Sequence, residues 1–226
     1  VTSISYWATT ADGANVDQGG VGELLVARDF STDPRMIYTL TGANLNLTHT
    51  DNRFVTTNNN LTAVDLGQAN EGVTATNVRN SIINYIHGYD AYDDDLDATT
   101  LRRKWILGDI LHSKPVIYPY SKAPDGLSHA GYAAWEANTT LNQTMIYVGA
   151  NDGQLHAFRD SDGKELWSFI PPDVLPDLRF LHNNIHNYFM DGSPRLYTYD
   201  HDGDGNVGPT AETTAGDVDG ATADAG

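Results

Sequence analysis

The chain alternates short apolar runs with clusters of turn residues, a pattern that predicts a β protein built from short strands. Each run holds four to six residues, is rich in β-branched or aromatic side chains, and is bounded by Gly, Pro, Asn or Asp. The predicted strands are residues 36–40, 115–120, 145–150, 155–158, 166–169 and 195–199. Their uneven spacing indicates an irregular repeat with insertions.

Residues 145–169 carry two hairpin signals in close succession. Asn151-Asp152-Gly153 separates the first two strands, and its glycine supplies the positive φ that a tight turn needs. Asp162-Gly163 repeats the device before the next strand. The segment therefore predicts a meander of three antiparallel strands, with Trp167 as a large side chain between adjacent sheets.

The first strand of this meander has a clear alternation of faces. Tyr147 and Gly149 are expected on one face, and Ile146, Val148 and Ala150 on the other. A glycine inside a strand permits close approach of a neighbouring segment, so we expect such an approach at Gly149.

One segment has helical rather than strand periodicity. A helix is predicted over residues 76–88, with Thr76 or Asn77 as N-cap and Gly88 as the stop. Its apolar face holds Val78, Ile82, Tyr85 and Ile86. A short helix or turn is expected over 171–182, where two prolines preset its start, and a loop over 58–72.

Three or four hairpin units leave sheet edges unpaired, and radial β architectures avoid long exposed edges by closing into a ring. The predicted fold is therefore mainly β: a partial β-propeller of antiparallel four-stranded blades with one or two helical insertions. Residues 1–199 would form the incomplete propeller. Residues 200–226, which are almost free of apolar side chains, would form an acidic loop and a flexible tail.

Composition narrows the function classes. Thirteen Lys+Arg against thirty Asp+Glu give a net charge of −17, which disfavours nucleic acid and anionic lipid as partners. The absence of cysteine excludes disulfides, thiol catalysis and Cys-ligated metals. No apolar run reaches the length of a membrane span. Because the chain opens on Val1 in ordinary polar sequence, we expect it to be processed or cut from a longer protein.

The sharpest chemical signal is the stretch "DHDGDGNV" at 200–207. Asp200, Asp202 and Asp204 occupy positions 1, 3 and 5 of an EF-hand-like loop, Gly205 occupies the sharp-turn position, and Asn206 would lend its carbonyl at position 7. Three carboxylates curled around one point repel each other unless a hard cation lies between them. The spacing therefore predicts a Ca²⁺ site.

This calcium loop is incomplete at its end. Positions 9 and 12 are Gly208 and Ala211, so the usual bidentate glutamate is missing. Glu212, Asp217 or Asp219 could supply the remaining oxygen from the tail. The alternative is a solvated acidic turn without metal.

The other polar clusters favour structural roles. Asp93, Asp95 and Asp97 alternate but lack the turn glycine, so a solvated loop is preferred. The His182/His186 pair has no carboxylate at a useful spacing, and a structural or surface role is preferred for it.

No catalytic constellation is found. Ser113 follows His112 directly, so the two side chains would point to opposite faces of a strand, and Ser193 has no evident base. His156 is interpreted as a hydrogen-bonded packing residue that shares a face with Gln154 and Phe158. The sequence therefore predicts a protein that is not an enzyme.

Two resemblances add to this interpretation. The hairpin segment "YVGANDGQLHAFRDSDGKELW" resembles quinoprotein propeller repeats over about one blade. Across most of the chain, however, motifs such as "WILGDILHSKP" (105–115) and "FMDGSP" (189–194) occur in the order seen in the PilC/PilY family of type IV pilus proteins. The chain resembles the first part of that family's C-terminal propeller.

The family resemblance implies an exported, non-enzymatic protein at the bacterial cell surface, at the pilus tip or associated with the outer membrane. It implies roles in pilus biogenesis and surface adhesion, with pilin or minor pilins, the remaining propeller blades and a host or abiotic surface as partners. The alternatives are a quinoprotein-like oxidoreductase, or a scaffold that completes its propeller with a partner chain.

Overall fold

The computed structural model describes residues 4–8, 11–12, 18–93, 96, 102–120, 143–183 and 186–196. Their regular elements are two α-helices, five strands and two short 3₁₀ helices, the latter at Thr50–Asn52 and Leu175–Phe180. The helices are α1 (Gly20–Ala27) and α2 (Val73–His87). The strands are β1 (Ile37–Tyr38), β2 (Val116–Pro119), β3 (Thr144–Ala150), β4 (Gln154–Arg159) and β5 (Glu165–Phe169).

The five strands form one open sheet in the order β1-β5-β4-β3-β2. The described structure is thus β-rich with few helices, which confirms the mainly β prediction; closure into a propeller stays a prediction. β4 and β5 are antiparallel, whereas β1 joins β5 in parallel, with Ile37 opposite Ser168. The chain divides into two compact units, Val1–Pro115 with Ile146–Pro194, and Val116–Met145 with Arg195–Gly226. The two domains predicted at 1–199 and 200–226 stay a prediction.

Both hairpin turns occur where the sequence places them. Gly153 has φ +86° and its amide donates to the Ala150 carbonyl at 3.2 Å. Gly163 has φ +69° and its amide donates to Arg159 at 2.8 Å. Local turn chemistry therefore fixes the β3–β4–β5 meander.

The alternation along β3 is also confirmed. Val148 and Ala150 are buried in one apolar cluster, and Ile146 packs against it. Tyr147 contacts the Trp167 ring, with centroids 5.8 Å apart. The rest of this cluster is Leu25, Phe30, Ile106, Leu107 and Phe158.

α2 confirms the predicted helix but begins earlier than expected. Its N-cap is Gly72 rather than Thr76 or Asn77, because the Thr76 amide already donates to the Gly72 carbonyl at 2.8 Å. The helix ends at Gly88, whose φ of +104° is the left-handed conformation that glycine favours. Its buried face, with Ile82, Ile83 and Ile86, forms a second apolar cluster with Ile37, Phe54, Leu61, Leu66, Ile170, Leu175 and Leu178.

Two of the strand predictions need correction. The predicted strand 36–40 is reduced to Ile37–Tyr38, because the next residue, Thr39, donates instead to Asn52 at 2.9 Å. For the predicted strand 195–199, Arg195 and Leu196 are not in a strand, and residues 197–199 lie outside the described residues. The expected loop at 58–72 and the expected short helix after Pro172 are confirmed.

Among the described residues, α1 is a helix that the sequence analysis did not predict. Its first turn is held by Glu23, whose carboxylate accepts from the Gly19 amide at 2.8 Å. No helix in the described ranges combines the length and the apolar character that a bilayer crossing requires.

Gly149 lies under the backbone of residues 190–192. A Cβ atom at 149 would lie 2.3 Å from the Met190 carbonyl oxygen and 3.3 Å from that of Gly192. The close approach at Gly149 that the sequence predicts is thus present. The approaching atoms belong to the backbone, which cannot move away by changing rotamer as a side chain can.

We expect Gly149→Ala to lower the free energy of unfolding by about 1–3 kcal/mol, because the added methyl group displaces the 190–192 backbone. The measurement is urea unfolding. The matched control is Gly192→Ala, where an added Cβ meets nothing within 4 Å; its effect should stay within about 0.5 kcal/mol. Equal effects of the two variants would contradict the packing argument.

Candidate functional site

The predicted calcium ligands Asp200, Asp202, Asp204 and Asn206 lie outside the described residues, so that site stays a prediction. Within the described residues, no group of three or more His, Asp or Glu side chains is placed to hold a metal ion. The polar chemistry of the described chain is concentrated instead in a buried charge network and in a cleft that opens above it.

The charge network joins residues that are far apart in sequence. Arg35, just before β1, forms a two-pronged ion pair with Glu165 at the start of β5, with both N–O distances 2.7 Å. His156 of β4 contacts Glu165 through Nδ1 at 2.8 Å. Its Nε2 contacts Asp152 in the hairpin turn at 3.1 Å. We call Arg35, Glu165, His156 and Asp152 the buried charge network.

Burying the charged side chains of this network costs desolvation free energy. The side chains of Arg35, Glu165 and His156 are at most 1% exposed. Charges taken out of water at this depth are tolerated only when each meets an opposite charge and its remaining hydrogen bonds are filled. Arg35 meets this condition by also donating to the Ile86 carbonyl at 2.6 Å and to Gln154 Oε1 at 2.9 Å.

The network changes the protonation of its members. Burial raises the pKa of Glu165, but Arg35 and His156 outweigh it and hold that pKa far below its usual range. Burial lowers the pKa of His156, but Asp152 and Glu165 outweigh it and raise the pKa from 6.5 to about 9. The network therefore holds two cations and two anions at neutral pH. The expectation of a hydrogen-bonded packing residue at His156 is confirmed, and the residue is charged.

A second histidine, which is only half-buried, differs from His156 in its protonation. His87, at the end of α2, contacts the Phe54 carbonyl through Nε2 at 2.6 Å. Burial is the main cause that lowers its pKa from 6.5 to about 4. His87 is therefore neutral where His156 is charged.

A cleft of about 170 Å³ opens above the network. Asp152 and Gln154 form part of its wall, together with the apolar side chains of Ile106, Leu107 and Leu181. Asp109, Arg103, His186 and Asn187 also line it. We call this space the polar cleft.

Three contacts join elements around the polar cleft. The Asp109 carboxylate accepts from Asn151 Nδ2 at 2.9 Å and contacts His186 Nε2 at 3.0 Å. Burial raises the pKa of Asp109, but these hydrogen bonds outweigh it and lower that pKa. The Arg103 guanidinium lies 3.7 Å from the centre of the Tyr85 ring.

The two stretches that carry the family resemblance lie side by side. We call residues 186–194 the strap. Asp191 in the strap accepts from the His112 backbone amide at 3.0 Å and also contacts its imidazole. Ser193 Oγ accepts from the Lys114 amide at 2.9 Å. "WILGDILHSKP" and "FMDGSP" are therefore one packed unit in the fold.

Side-chain contacts show the structural environment of the serines considered for catalysis and of the histidines considered as metal ligands. Ser113 Oγ accepts from the Gly149 amide at 3.0 Å, so it supports backbone as Ser193 does. His182 stacks on Tyr92, with ring centroids 4.0 Å apart, whereas His186 contacts Asp109. These contacts fit the structural or surface role that the sequence analysis prefers for His182 and His186.

Of the acidic cluster after α2, Asp93 is described and has φ +53°. Asp95 and Asp97 lie outside the described residues, so the solvated loop stays a prediction.

Sequence reasoning missed Arg35, Glu165 and Asp152 as partners of His156. The available signal was that Arg35 and Glu165 immediately precede two predicted strands, with opposite charges. A charge at the first position of a strand that is buried on both sides needs a counterion. The sequence does not say which strands are neighbours.

The chain is similar to curated proteins of type IV pilus systems. It is 32% identical over 160 residues to a "Type IV pilus biogenesis factor PilY1 homolog" of Xylella fastidiosa, covering 66% of this chain. It is 36% identical over 136 residues to a second homolog from that organism, covering 52%. It is 31% identical over 103 residues to "Type IV pilus biogenesis factor PilY1" of Pseudomonas aeruginosa, covering 41%.

The chain spans only a small part of these relatives, 13% of the first and 9% of the other two. No family model matches it, and no solved structure matches it.

His156 and His87 predict opposite limbs of a profile of stability against pH. His156 has a raised pKa, so its contribution is full below pH 6.5 and is lost as pH rises from 6.5 towards about 9. His87 has a lowered pKa, so its contribution is full above pH 6.5 and is lost as pH falls towards about 4. The alkaline limb should amount to about 3 kcal/mol, and the acid limb should be smaller because His87 is only half-buried. Urea unfolding should show a maximum of stability near pH 6.5.

Two substitutions distinguish the contributions of His156 and His87 to the profile. His156→Gln should flatten the alkaline limb, and His87→Gln, which retains a donor for the Phe54 carbonyl, should flatten the acid limb between pH 6.5 and about 4. An alkaline limb that persists in His156→Gln would mean that another group controls it.

Proposed function

Because the chain belongs to the PilY1 family of type IV pilus proteins, we propose that it acts in pilus biogenesis and surface adhesion as an exported, non-enzymatic protein. The similarity to biogenesis factors over 160 residues is the observation that carries this proposal. Its location would be the cell surface, at the pilus tip or associated with the outer membrane.

The side-chain contacts favour a binding or scaffolding role over catalysis. A nucleophilic serine needs a base within hydrogen-bond reach. The hydroxyls of Ser113 and Ser193 instead accept from backbone amides. His112 contacts Asp191 in the strap, and His156 is enclosed in the buried charge network.

The sheet supports a role as part of a larger β-propeller. Among the described residues it holds a tight antiparallel meander, β3–β4–β5, with β1 on one side and β2 on the other. A bridge between Tyr38 and Arg53 already covers the outer side of β1, so further strands would join the sheet beyond β2. The chain also spans only 9–13% of the relatives, so the remaining blades would come from the same precursor or from a separate chain.

The acidic loop at 200–206 would bind Ca²⁺ through Asp200, Asp202, Asp204 and Asn206. A net charge of −17 favours cation binding, and the 1-3-5 carboxylate spacing concentrates part of that charge at one turn. Bound calcium would stabilise the folded chain by mass action and could regulate contact with pilin, minor pilins or a surface ligand.

Calcium should raise the melting temperature in scanning calorimetry relative to a chelator, and Asp202→Asn should remove most of that rise. The control is Asp173→Asn, which removes one exposed carboxylate outside the loop. Identical melting temperatures in calcium and chelator, with no metal found by elemental analysis, would refute the calcium site.

Deletion of the gene that encodes this chain should reduce sheared surface pilin several-fold, and the wild-type gene should restore it. The measurement is immunoblotting of sheared pili against total pilin. Unchanged surface pilin together with unchanged attachment would refute the role in biogenesis and adhesion, whatever the calorimetry shows.

A further inference from the structure

The polar cleft is lined by a side-chain hydrogen-bond donor, Gln154 Nε2, for which the described residues supply no acceptor. Gln154 is 1% exposed and lines the cleft. Its Oε1 accepts from Arg35 Nη2 at 2.9 Å and from Ser168 Oγ at 2.8 Å, which fixes the orientation of the amide. Among the described residues, no acceptor lies within hydrogen-bond reach of Gln154 Nε2. Because Gln154 Nε2 is not among the fully buried polar atoms that lack a partner, solvent in the cleft reaches it, and a ligand that displaces this solvent must accept from it.

Acceptors line the same cleft. The Asp109 carboxylate has about four lone-pair sites and is contacted by Asn151 Nδ2 and His186 Nε2. Asn151 gives one amide hydrogen to Asp109, and its oxygen accepts from the Phe189 amide at 3.3 Å. Unused donor and acceptor capacity therefore converges on one space.

The charges around the cleft disfavour an ionic ligand. The buried charge network beneath it holds two cations and two anions, and the lining adds Arg103 and Asp109. An anion would meet the carboxylates of Asp109 and Asp152, whereas a cation would meet Arg103. A ligand with no net charge can enter without leaving a charge uncompensated.

The volume limits the ligand to a small molecule. A space of about 170 Å³ exceeds the about 10–15 Å³ that one water needs. It is smaller than the pockets of about 300 Å³ and more that hold drug-sized ligands. Ile106, Leu107 and Leu181 give one part of the wall an apolar character that suits the C–H surface of a ring.

We propose that the polar cleft binds a neutral polyhydroxylated ligand, such as the terminal monosaccharide unit of a glycan. Hydroxyl groups accept from Gln154 Nε2 and Asn151 Nδ2 and donate to Asp109. The apolar wall contacts the ring. This inference rests on the cleft alone and holds whether or not the chain acts in pilus biogenesis.

The test is an NMR titration of the ¹⁵N-labelled 226-residue chain with three probes that share a ring and differ in charge. Methyl glucoside is neutral, glucosamine is a cation and glucuronate is an anion. We expect methyl glucoside to cause saturable chemical-shift changes, with a dissociation constant in the millimolar range. The affected groups should be the Gln154 side-chain amide and the backbone amides of Gly108, Asn151 and Asp152. Binding of either charged probe should be at least several-fold weaker.

Two variants link the binding to the cleft. Asn187→Trp fills the mouth and should abolish the shifts, whereas Asn59→Trp places the same side chain on exposed surface that lies outside the cleft lining and should leave them unchanged. Asp109→Ala removes a half-exposed carboxylate and should weaken methyl glucoside binding about tenfold. It tests the same site if Asn187→Trp does not fold.

Three results would overturn the proposal. Absence of saturable shifts with methyl glucoside would mean that the cleft holds only water. Tighter binding of glucosamine or glucuronate would refute the charge argument. Full binding in Asn187→Trp or in Asp109→Ala would place the sugar elsewhere on the molecule.

Discussion

The ion pair between Arg35 and Glu165 is the interaction on which the described fold depends. It joins the segment before β1 to the start of β5, and the same guanidinium also holds the Ile86 carbonyl of α2 and the Gln154 side chain of β4. One side chain therefore contacts three elements from the inside. Because its charge cannot be left unpaired at this depth, Glu165 and His156 must be present and correctly protonated whenever the sheet is assembled. The network gives one arrangement of these elements a large advantage over its competitors.

The strap also joins segments that are distant in sequence. Its carbonyl groups at 190 and 192 pack on Gly149, and Asp191 and Ser193 accept from the 112–114 backbone. Between the strap and the buried charge network lies the polar cleft, whose wall includes residues from both. Residues that line the polar cleft are thus held by hydrogen bonds from the strap and from the buried charge network.

The meander could be predicted because it depends on residues close together in sequence. Features that depend on contacts between distant residues could not be predicted. The turns at Gly153 and Gly163 and the alternation along β3 depend on neighbours in sequence, so they could be predicted. The start of α2 was placed too late, because glycine at 72 carries no capping side chain to mark it. α1 was missed because its glycine-rich sequence has low helix propensity and is stabilised by Glu23 on the Gly19 amide. The polar cleft required knowing which strands are adjacent. The calcium loop remains a sequence prediction on residues 200–206.

The parallel pairing of β1 with β5 has a consequence for how the chain reaches this structure. Arg35 and Glu165 are separated by 130 positions, so the first strand emerges from the ribosome long before its partner exists. Closing a loop of that length is entropically unfavourable until the meander provides a surface to dock on. We therefore expect the central hairpins, whose contacts are local in sequence, to form before β1 docks on β5. Until β5 is in place, Arg35 has no Glu165 to pair with and its charge stays in water.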